Sequence, residues 1–487
     1  MVLIPTQPLA EHLDLPQALC QPLGRFLRPP YLANLVQAFL NLIGDRGRYT
    51  FILATDSQPP IAILLPTVLS ILAANELGRL VWVVGPPLPA LIAQLVLQYQ
   101  AQGAIALKTV ATTGEPPIEM ELYWQQGQRL TPTLLEALAE RTQILQVYRW
   151  QPLEFTATQP QSLQVEGLVL EVLDSLQSYQ KRMTYLFDFD VIQSHFRHHP
   201  LKLGCGDELS YYYAQGLLEQ TLGLPAGTVI RATTTTPHLS AKISSRCCQM
   251  MRGPEPVSGS DSLALLVAQA SLTPFYSSEM LGVARSRFAS VAVDHVCAQL
   301  HLPYFHTAEL WADLSACFGA ENVTLAGNSQ GEIGGAHSRE ADGLWALLFW
   351  LNILASKSAT VESLLLEHWH RFGRNYHGHY HYQCSAHQLL RWTTLTESWS
   401  HLNWRGKLYG PYEIAFTQLL PSGGYELGFT DGSRLLFCPE AQNPDASLHL
   451  YLERYEPPPA TQGLTPAEAL QPLLNLAQEL LAYPSAP

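Results

Sequence analysis

Lysine is scarce: six in 487 residues, and Lys+Arg 28 against Asp+Glu 41 leaves a formal net charge of −13. A chain this poor in basic side chains argues against a nucleic-acid or anionic-membrane partner. Charge of either sign is sparse at 14%, whereas hydrophobic residues make up 47%, so burial can offset the entropy of ordering and disorder is excluded as the main state. Long apolar runs are missing too. The longest, residues 61–74 and 344–355, are too short to span a bilayer and are interrupted by Pro66 and Asn352. The eight cysteines (Cys20, Cys205, Cys247, Cys248, Cys297, Cys317, Cys384, Cys438) contain no C-x-x-C pair, which predicts buried free thiols in a reducing compartment. Met1-Val-Leu-Ile-Pro5 has no basic stretch before an apolar one, so no signal peptide is expected. These absences predict a soluble cytoplasmic protein of several domains.

Strand-like and helix-like stretches alternate through most of the chain. Residues 50–54 read as a buried strand, 61–77 as a helix, 79–84 as a strand, 90–102 as a helix and 104–107 as a strand, the pattern of parallel α/β layering. Leu170, Leu173, Leu176, Met183, Leu186 and Phe187 predict one helix over residues 169–189, and residues 201–203 a strand. Residues 233–261 have no clear period. A helix follows over 262–270, and a short strand over 303–307 leads into another helix. Beyond Ser385 the pattern changes: residues 425–429 and 434–437, split by Asp431-Gly432, read as a β-hairpin, followed by a strand at 448–452 and a helix at 465–481.

Several collinear stretches resemble the α-D-phosphohexomutase superfamily, in its phosphoglucomutase branch. His337-Ser-Arg-Glu-Ala-Asp-Gly-Leu-Trp-Ala346 is similar to the family's H-x-R-E-K-D-G-L-W-A, and His368-Trp-His-Arg-Phe-Gly-Arg-Asn-Tyr376 to its H-W-x-x-x-G-R-N-Y/F. Glu171-Val-Leu-Asp-Ser175 with Tyr179 resembles the helix closing the family's first domain. Gly282-Val-Ala-Arg-Ser286 with Ser290, Ala292, Asp294 and Val296, and Asp431-Gly-Ser-Arg434 with Tyr455, resemble its third and fourth domains. The resemblance implies three related α/β domains around a central cleft plus a smaller C-terminal α+β domain, with divisions at residues 1–192, 193–272 (shortened), 273–392 and 393–487.

The family's reaction moves a phosphoryl group through an enzyme phosphoserine, by positioning and charge neutralisation. Its phosphoserine motif T-A-S-H-N-P-G-G falls on Lys108-Thr-Val-Ala-Thr-Thr-Gly114, with Thr109 at the serine and Thr112 or Thr113 as alternatives; none has the neighbouring His and Asn, and a strand end with satisfied hydroxyls is the favoured reading. The Mg²⁺ loop D-G-D-G-D-R falls on Ala241-Lys-Ile-Ser-Ser-Arg246, which keeps only the arginine and adds Lys242. Hard cations need oxygen ligands, so no Mg²⁺ is expected there. The sugar motif G-E-E-S becomes Gly327-Asn-Ser-Gln330, T-G-W-K becomes Glu309-Leu-Trp-Ala312, and the phosphate cradle becomes Cys438-Pro-Glu-Ala-Gln-Asn-Pro444, with Glu440 and Asp445 opposing a dianion. Gln21-Pro-Leu-Gly-Arg25 offers no counterpart to G-T-S-G-L-R.

No catalytic residue is therefore expected. Arg246, Arg285, His337, Arg339 and Arg374 are the candidates for a vestigial ligand site that binds sugar phosphate weakly. His377, His379 and His381 alternate, so on a strand they share one face and form the alternative metal site. The expected function is that of a non-catalytic phosphoglucomutase-like pseudoenzyme in carbohydrate metabolism. It acts as a binding, regulatory or assembly factor with a protein partner and without a cofactor. The alternative is a phosphoglucomutase-type phosphotransferase on glucose phosphates with a rebuilt site, which would need Mg²⁺.

Overall fold

The computed structural model describes residues 1–9, 18–44, 48–110, 116–153, 155, 159–165, 167–232, 239–320, 322–399, 404–420, 423–441, 446–460 and 463–482. Three sheets repeat one topology. In each, a second strand, a first, a third and a fourth lie in that order, the first three parallel and the fourth antiparallel. In the N-terminal sheet these are Arg79–Val84, Thr50–Thr55, Gly103–Thr109 and Pro117–Trp124, extended by Ala18–Pro22 on one side and by Leu168–Asp174 and Gln161–Val165 on the other. The next has Val229–Arg231, Leu203–Cys205, Ala241–Ile243 and Cys248–Arg252, with Glu255–Pro256 at its edge. The third has Tyr304–Thr307, Val283–Ser286, Leu325–Gly327 and Ile333–Gly335. Parallel neighbours need crossover segments, and helices such as Pro59–Ala74 and Ala292–Leu300 supply them. The C-terminal sheet is different, wholly antiparallel and six-stranded, from Arg374–Cys384 through Ala446–Glu456, Arg434–Ala441, Tyr425–Phe429 and Tyr412–Leu419 to Leu408–Tyr409. Helices Ala386–Trp399 and Pro466–Ala482 pack on it through Trp399, Leu470 and Leu473.

Two elements depart from the sequence reading. Residues 169–189 are not one helix. Leu168–Asp174 is a strand parallel to Arg79–Val84, and the helix is Ser175–Leu186. Leu170, Leu173 and Leu176 mimic a helical spacing, but Leu168, Leu170 and Val172 alternate inward. Asp174 then caps the helix by accepting from Gln177 N at 2.8 Å. The segment without a period, residues 233–261, holds three sheet strands, two of them joined by a tight turn and the third the short Glu255–Pro256. Its residues 233–238 lie outside the described ones.

Helix Gly343–Lys357 is the central packing element, with every residue from Gly343 to Ala355 buried. Each large apolar side chain so buried contributes about 2 kcal/mol. Its polar atoms are paired: Trp350 Nε1 donates to Ser262 Oγ at 2.6 Å, Trp345 Nε1 to Tyr276 OH at 3.0 Å, and Asn352 Oδ1 accepts from Asp188 N at 2.8 Å. Among the described residues no single helix is long and apolar enough to cross a membrane. The eight cysteines are free; Cys205, Cys248, Cys297 and Cys317 are buried, but Cys247, Cys384 and Cys438 are only partly buried and Cys20 is exposed, contrary to the uniform burial expected.

The N-terminus of that helix is capped by Asp342, 1% exposed, whose carboxylate accepts from Leu344 N, Trp345 N and Tyr179 OH. Burial pushes its carboxyl up to about 6 despite those donors. A raised acid binds its proton more tightly in the folded state, so this group's contribution favours folding at low pH and is lost as pH rises from the unfolded value through about 6. Asp342→Asn removes that dependence. The stability of the variant relative to wild type, from urea unfolding, is expected to rise by about 2 kcal/mol between pH 4 and pH 7; a difference that does not change with pH would contradict the assignment.

Candidate functional site

The turn that follows strand Ala241–Ile243 is where the chemistry must be decided. Ala241 and Ile243 are buried in the sheet and Lys242 faces out on the opposite side. The sequence reading spread six loop positions over 241–246. The structure corrects this: only residues 244–247 connect the two strands, closed by Ser244 N donating to Cys247 O at 2.8 Å. Their oxygens are already engaged. Ser244 Oγ accepts from Cys247 N at 3.0 Å. The nearby Asp207 carboxylate accepts from Ser210 N at 2.7 Å and Ser245 N at 3.0 Å, capping its own helix. The turn seats directly on Gly343, where a Cβ would overlap the Ser244 and Cys247 carbonyls. A hard divalent ion needs several oxygen donors, mostly anionic; this donor set does not fit Mg²⁺.

Arg246 leaves the turn and crosses to the third sheet. Its Nε meets Glu332 Oε1 at 2.5 Å, its Nη2 Glu332 Oε2 at 3.1 Å, and its Nη1 Glu340 Oε2 at 3.1 Å. Glu340 also faces Arg129 Nε at 3.7 Å, and Arg129 Nη2 reaches Glu121 Oε1 at 3.5 Å in the first sheet. Lys108 closes the array on Glu119 at 3.0 Å and Glu121 at 3.6 Å. Burial pushes the Glu340 carboxyl up, with Arg129 and Arg246 opposing it. For Glu121 burial also raises, but Arg129 and Lys108 prevail and hold it below the usual range. The array contains three cations and four carboxylates, Lys108, Arg129 and Arg246 against Glu119, Glu121, Glu332 and Glu340. Between Arg129, Arg246, Trp311, Ser315 and Glu340 lies a cavity of about 40 Å³, room for a water or two and far below the several hundred Å³ of a ligand pocket.

The five candidate ligand residues do not converge. Arg246 is neutralised as described. Arg285, 6% exposed, is bound bidentately to Asp294 at 2.8 and 2.7 Å and pins the helix that follows its strand. His337 is buried against Trp345, its Nε2 without a hydrogen-bond partner, and burial followed by the Arg182 charge pushes it down to about 3, so it is neutral. Arg339 donates to Gln126 Oε1 at 3.0 Å across to the first domain's sheet. Arg374 lies over the Trp369 ring at 4.0 Å and the Tyr376 ring at 4.3 Å. Thr109 is held through its backbone N–H, which donates to Asp56 at 2.6 Å, while its hydroxyl is buried without a partner. Thr112 and Thr113 lie outside the described residues, as do Pro444 and Asp445 of the altered cradle; Cys438 and Glu440 are strand residues.

The remaining altered motifs are folded inward. Asn328 closes its own turn, accepting from Gln330 N and Glu332 N at 3.1 Å and donating to Glu332 Oε2 at 2.8 Å. Ser329 donates to Glu309, which burial pushes up although Ser286 and Ser329 oppose it. The histidines do sit on one strand, Arg374–Cys384, but do not converge on one point: His377 Nε2 donates to Phe288 O at 3.0 Å, while His379 and His381 both meet His449, the first by a 2.8 Å hydrogen bond and the second by ring packing. Among the described residues no group of three His, Cys, Asp or Glu is placed to hold a metal ion.

Glu121, Arg129, Glu332 and the pair Arg434–Glu453 went unread in the sequence. Within the C-terminal sheet Arg434 Nε donates to Glu453 Oε2 at 2.6 Å and Asn375 to Glu453 Oε1 at 2.7 Å, and the same pair reaches the segment after the third sheet's strand Val283–Ser286, Arg434 Nη1 donating to Arg287 O at 3.1 Å and Glu453 Oε1 accepting from Val291 N at 3.0 Å. Burial opposes ionisation of Glu453, but Arg434, His377 and the Ser290 hydroxyl hold it down at about 2. The sequence pattern points the other way: Glu121 and Glu453 fall on the face opposite the apolar sets Ile118, Met120, Leu122 and Leu448, Leu450, Leu452 of their strands, and only the packing of neighbouring elements buries them.

Residues 259–372 match the family model for the phosphoglucomutase/phosphomannomutase α/β/α domain III. The phosphoglucomutase of Rhizobium radiobacter is 26% identical over 93% of this chain and 92% of its own length. Human phosphoglucomutase-like protein 5 is 24% identical over 92% of this chain and 90% of its own. Among solved structures, pp63/parafusin from Paramecium in its open form superposes with a TM-score of 0.81 at 20% identity, covering 99% of this chain and 96% of that one. A phosphoglucomutase/phosphomannomutase family protein from Burkholderia thailandensis gives 0.62 at 12% identity, covering 96% of each. The chain therefore has a phosphoglucomutase-like fold, carries the phosphoglucomutase/phosphomannomutase domain III over residues 259–372, and is similar to phosphoglucomutases over nearly its whole length.

If Arg246 serves chiefly to neutralise buried carboxylates, Arg246→Ala leaves Glu340 uncompensated and should lower stability in denaturant unfolding by about 3 kcal/mol. Adding Glu332→Gln should recover part of that loss. A single variant as stable as wild type would show that the array is not a structural device.

Proposed function

We propose that this protein is a non-catalytic phosphoglucomutase-like factor that acts by binding, regulation or assembly in carbohydrate metabolism, cytoplasmic and with a protein partner. The observation that carries this reading is the Arg246 guanidinium held by Glu332 and Glu340 at the turn where the family arranges three acids around Mg²⁺. Phosphoryl transfer needs the charge on the moving group neutralised. Here the cation present is already satisfied by protein carboxylates, and the Ser244 hydroxyl oxygen is used by the turn's own backbone. The name carried by one relative, phosphoglucomutase-like protein, is compatible with this reading.

A second reading, a mutase with a rebuilt site, is favoured by relatives named phosphoglucomutase that match nearly the whole chain. A coupled assay separates the two: glucose 1-phosphate, glucose 1,6-bisphosphate, Mg²⁺ and purified protein, followed by oxidation of glucose 6-phosphate. The expected rate is indistinguishable from a mock purification. Turnover proportional to protein concentration and retained through two further chromatographic steps would establish the mutase instead. Residual sugar-phosphate affinity is read separately, as a rise in melting temperature with millimolar glucose 1-phosphate.

A further inference from the structure

Lys242, the cation that stands among the substituted acids of the turn region, plays no part in the Arg246 array. Ala241 and Ile243 fill the core, so strand alternation sends Lys242 to the other face. There it lines a cavity of about 990 Å³ that no member of the array touches. The cavity is bounded by the end of helix Phe189–Phe196, by the strands Ala241–Ile243 and Cys248–Arg252, and by the bend between helices Gly343–Lys357 and Val361–Phe372. That bend is the local cause of the space. Ser358 takes a left-handed conformation (φ 48°) that ends one helix, Thr360 caps the next at 86° to it, and Ala359 between them offers only a methyl group.

The floor of the cavity is apolar and the mouth is not. Phe196, Leu239, Met250 and Leu354 are buried at its base, whereas His199, Gly253, Pro254 and Thr360 are exposed around it. Its volume is that of a small-molecule site, and such sites join an apolar lining to a few polar groups that orient the ligand. Lys242 meets no carboxylate among the described residues. Arg252 lies over the Trp369 ring at 5.5 Å, and its carboxylate partner is Glu255, half exposed at 53%; an exposed pair of this kind is readily exchanged. His195 and His199, stacked at 4.5 Å, add a flat wall. Glu362 is the one carboxylate lining the cavity. With the imidazoles neutral, two cations against one acid leave an excess of one positive charge, a local reversal in a chain of net charge −13 with six lysines.

We propose that this cavity binds a small amphipathic carboxylate, its apolar body on Phe196, Met250 and Leu354 and its head at Lys242 and Arg252. The lining supplies both halves of that chemistry: desolvated apolar surface for the body, and a cation with no internal partner for the head. A singly charged head matches the excess of one, whereas a dianion would be opposed by Glu362 and by the acidic chain as a whole. The site is separate from the turn at residues 244–247, so it stands or falls independently of the loss of mutase chemistry.

Fluorescence titration of the full chain with anilinonaphthalene sulfonate, itself an amphipathic monoanion, is the test. One saturable site is expected. Decanoate should displace the dye, and decyltrimethylammonium, the same chain with a cationic head, should do so about tenfold less well or worse. Lys242→Glu should weaken dye binding by about tenfold or more while keeping the wild-type melting temperature, because the ammonium has no partner to lose. Ala359→Trp, which fills the space from the helix bend, should abolish binding. Lys181→Glu, the same charge change at an exposed position on helix Ser175–Leu186, should leave it unchanged. If Ala359→Trp fails to fold, Lys242→Glu and the two displacing chains still decide. Absence of a saturable site, which would leave the cavity to a protein segment or a second copy, overturns the proposal. So does equal displacement by the two chains, or Lys242→Glu binding the dye as well as Lys181→Glu.

Discussion

One half-buried guanidinium sets the character of this molecule. Arg246 emerges from a four-residue turn of the second sheet and is received by Glu332 and Glu340 of the third, while Arg129 ties Glu340 to Glu121 of the first. Charges withdrawn from water are tolerated only when each meets a well-placed opposite. The array meets that demand internally, each of its three cations facing protein carboxylates.

The packing around it follows from the same constraint. The turn must lie flat on the start of helix Gly343–Lys357, which only a glycine at the first helical position permits. Asp342 must cap that helix from inside the protein, where its carboxylate is costly and is held by three donors. Arg285 and Arg434, each bound to a carboxylate of a neighbouring element, do the same for the third sheet and its junction with the fourth. Arginines in the central region thus pair with carboxylates of neighbouring elements and hold those elements together.

Much of the scaffold was legible in the sequence because it rests on local periodicity: the strands at 50–55 and 79–84 and the hairpin about Asp431-Gly432 come out where the apolar pattern and turn residues put them. The misread helix at 169–189 fails for a physical reason, since leucines three apart fit a helix while the buried set alternates by two. The acid-free turn was visible as composition, but its shortness was not; that needed the antiparallel pairing of Ala241–Ile243 with Cys248–Arg252. Nor could the sequence show that Arg246, Arg285 and Arg374 face separate partners, because Glu332, Asp294 and Trp369 lie on different elements brought together only by the fold.

The central claim, that the turn at residues 244–247 and the Arg246 ion pairs leave no place for a divalent cation, is tested most directly by electron paramagnetic resonance with Mn²⁺ standing in for Mg²⁺. Titrating the ion into an equimolar excess of protein at low ionic strength should leave the six-line signal of free Mn²⁺ at full intensity. Loss of one equivalent of that signal, restored when Asp207 and Glu332 are replaced by their amides, would contradict it.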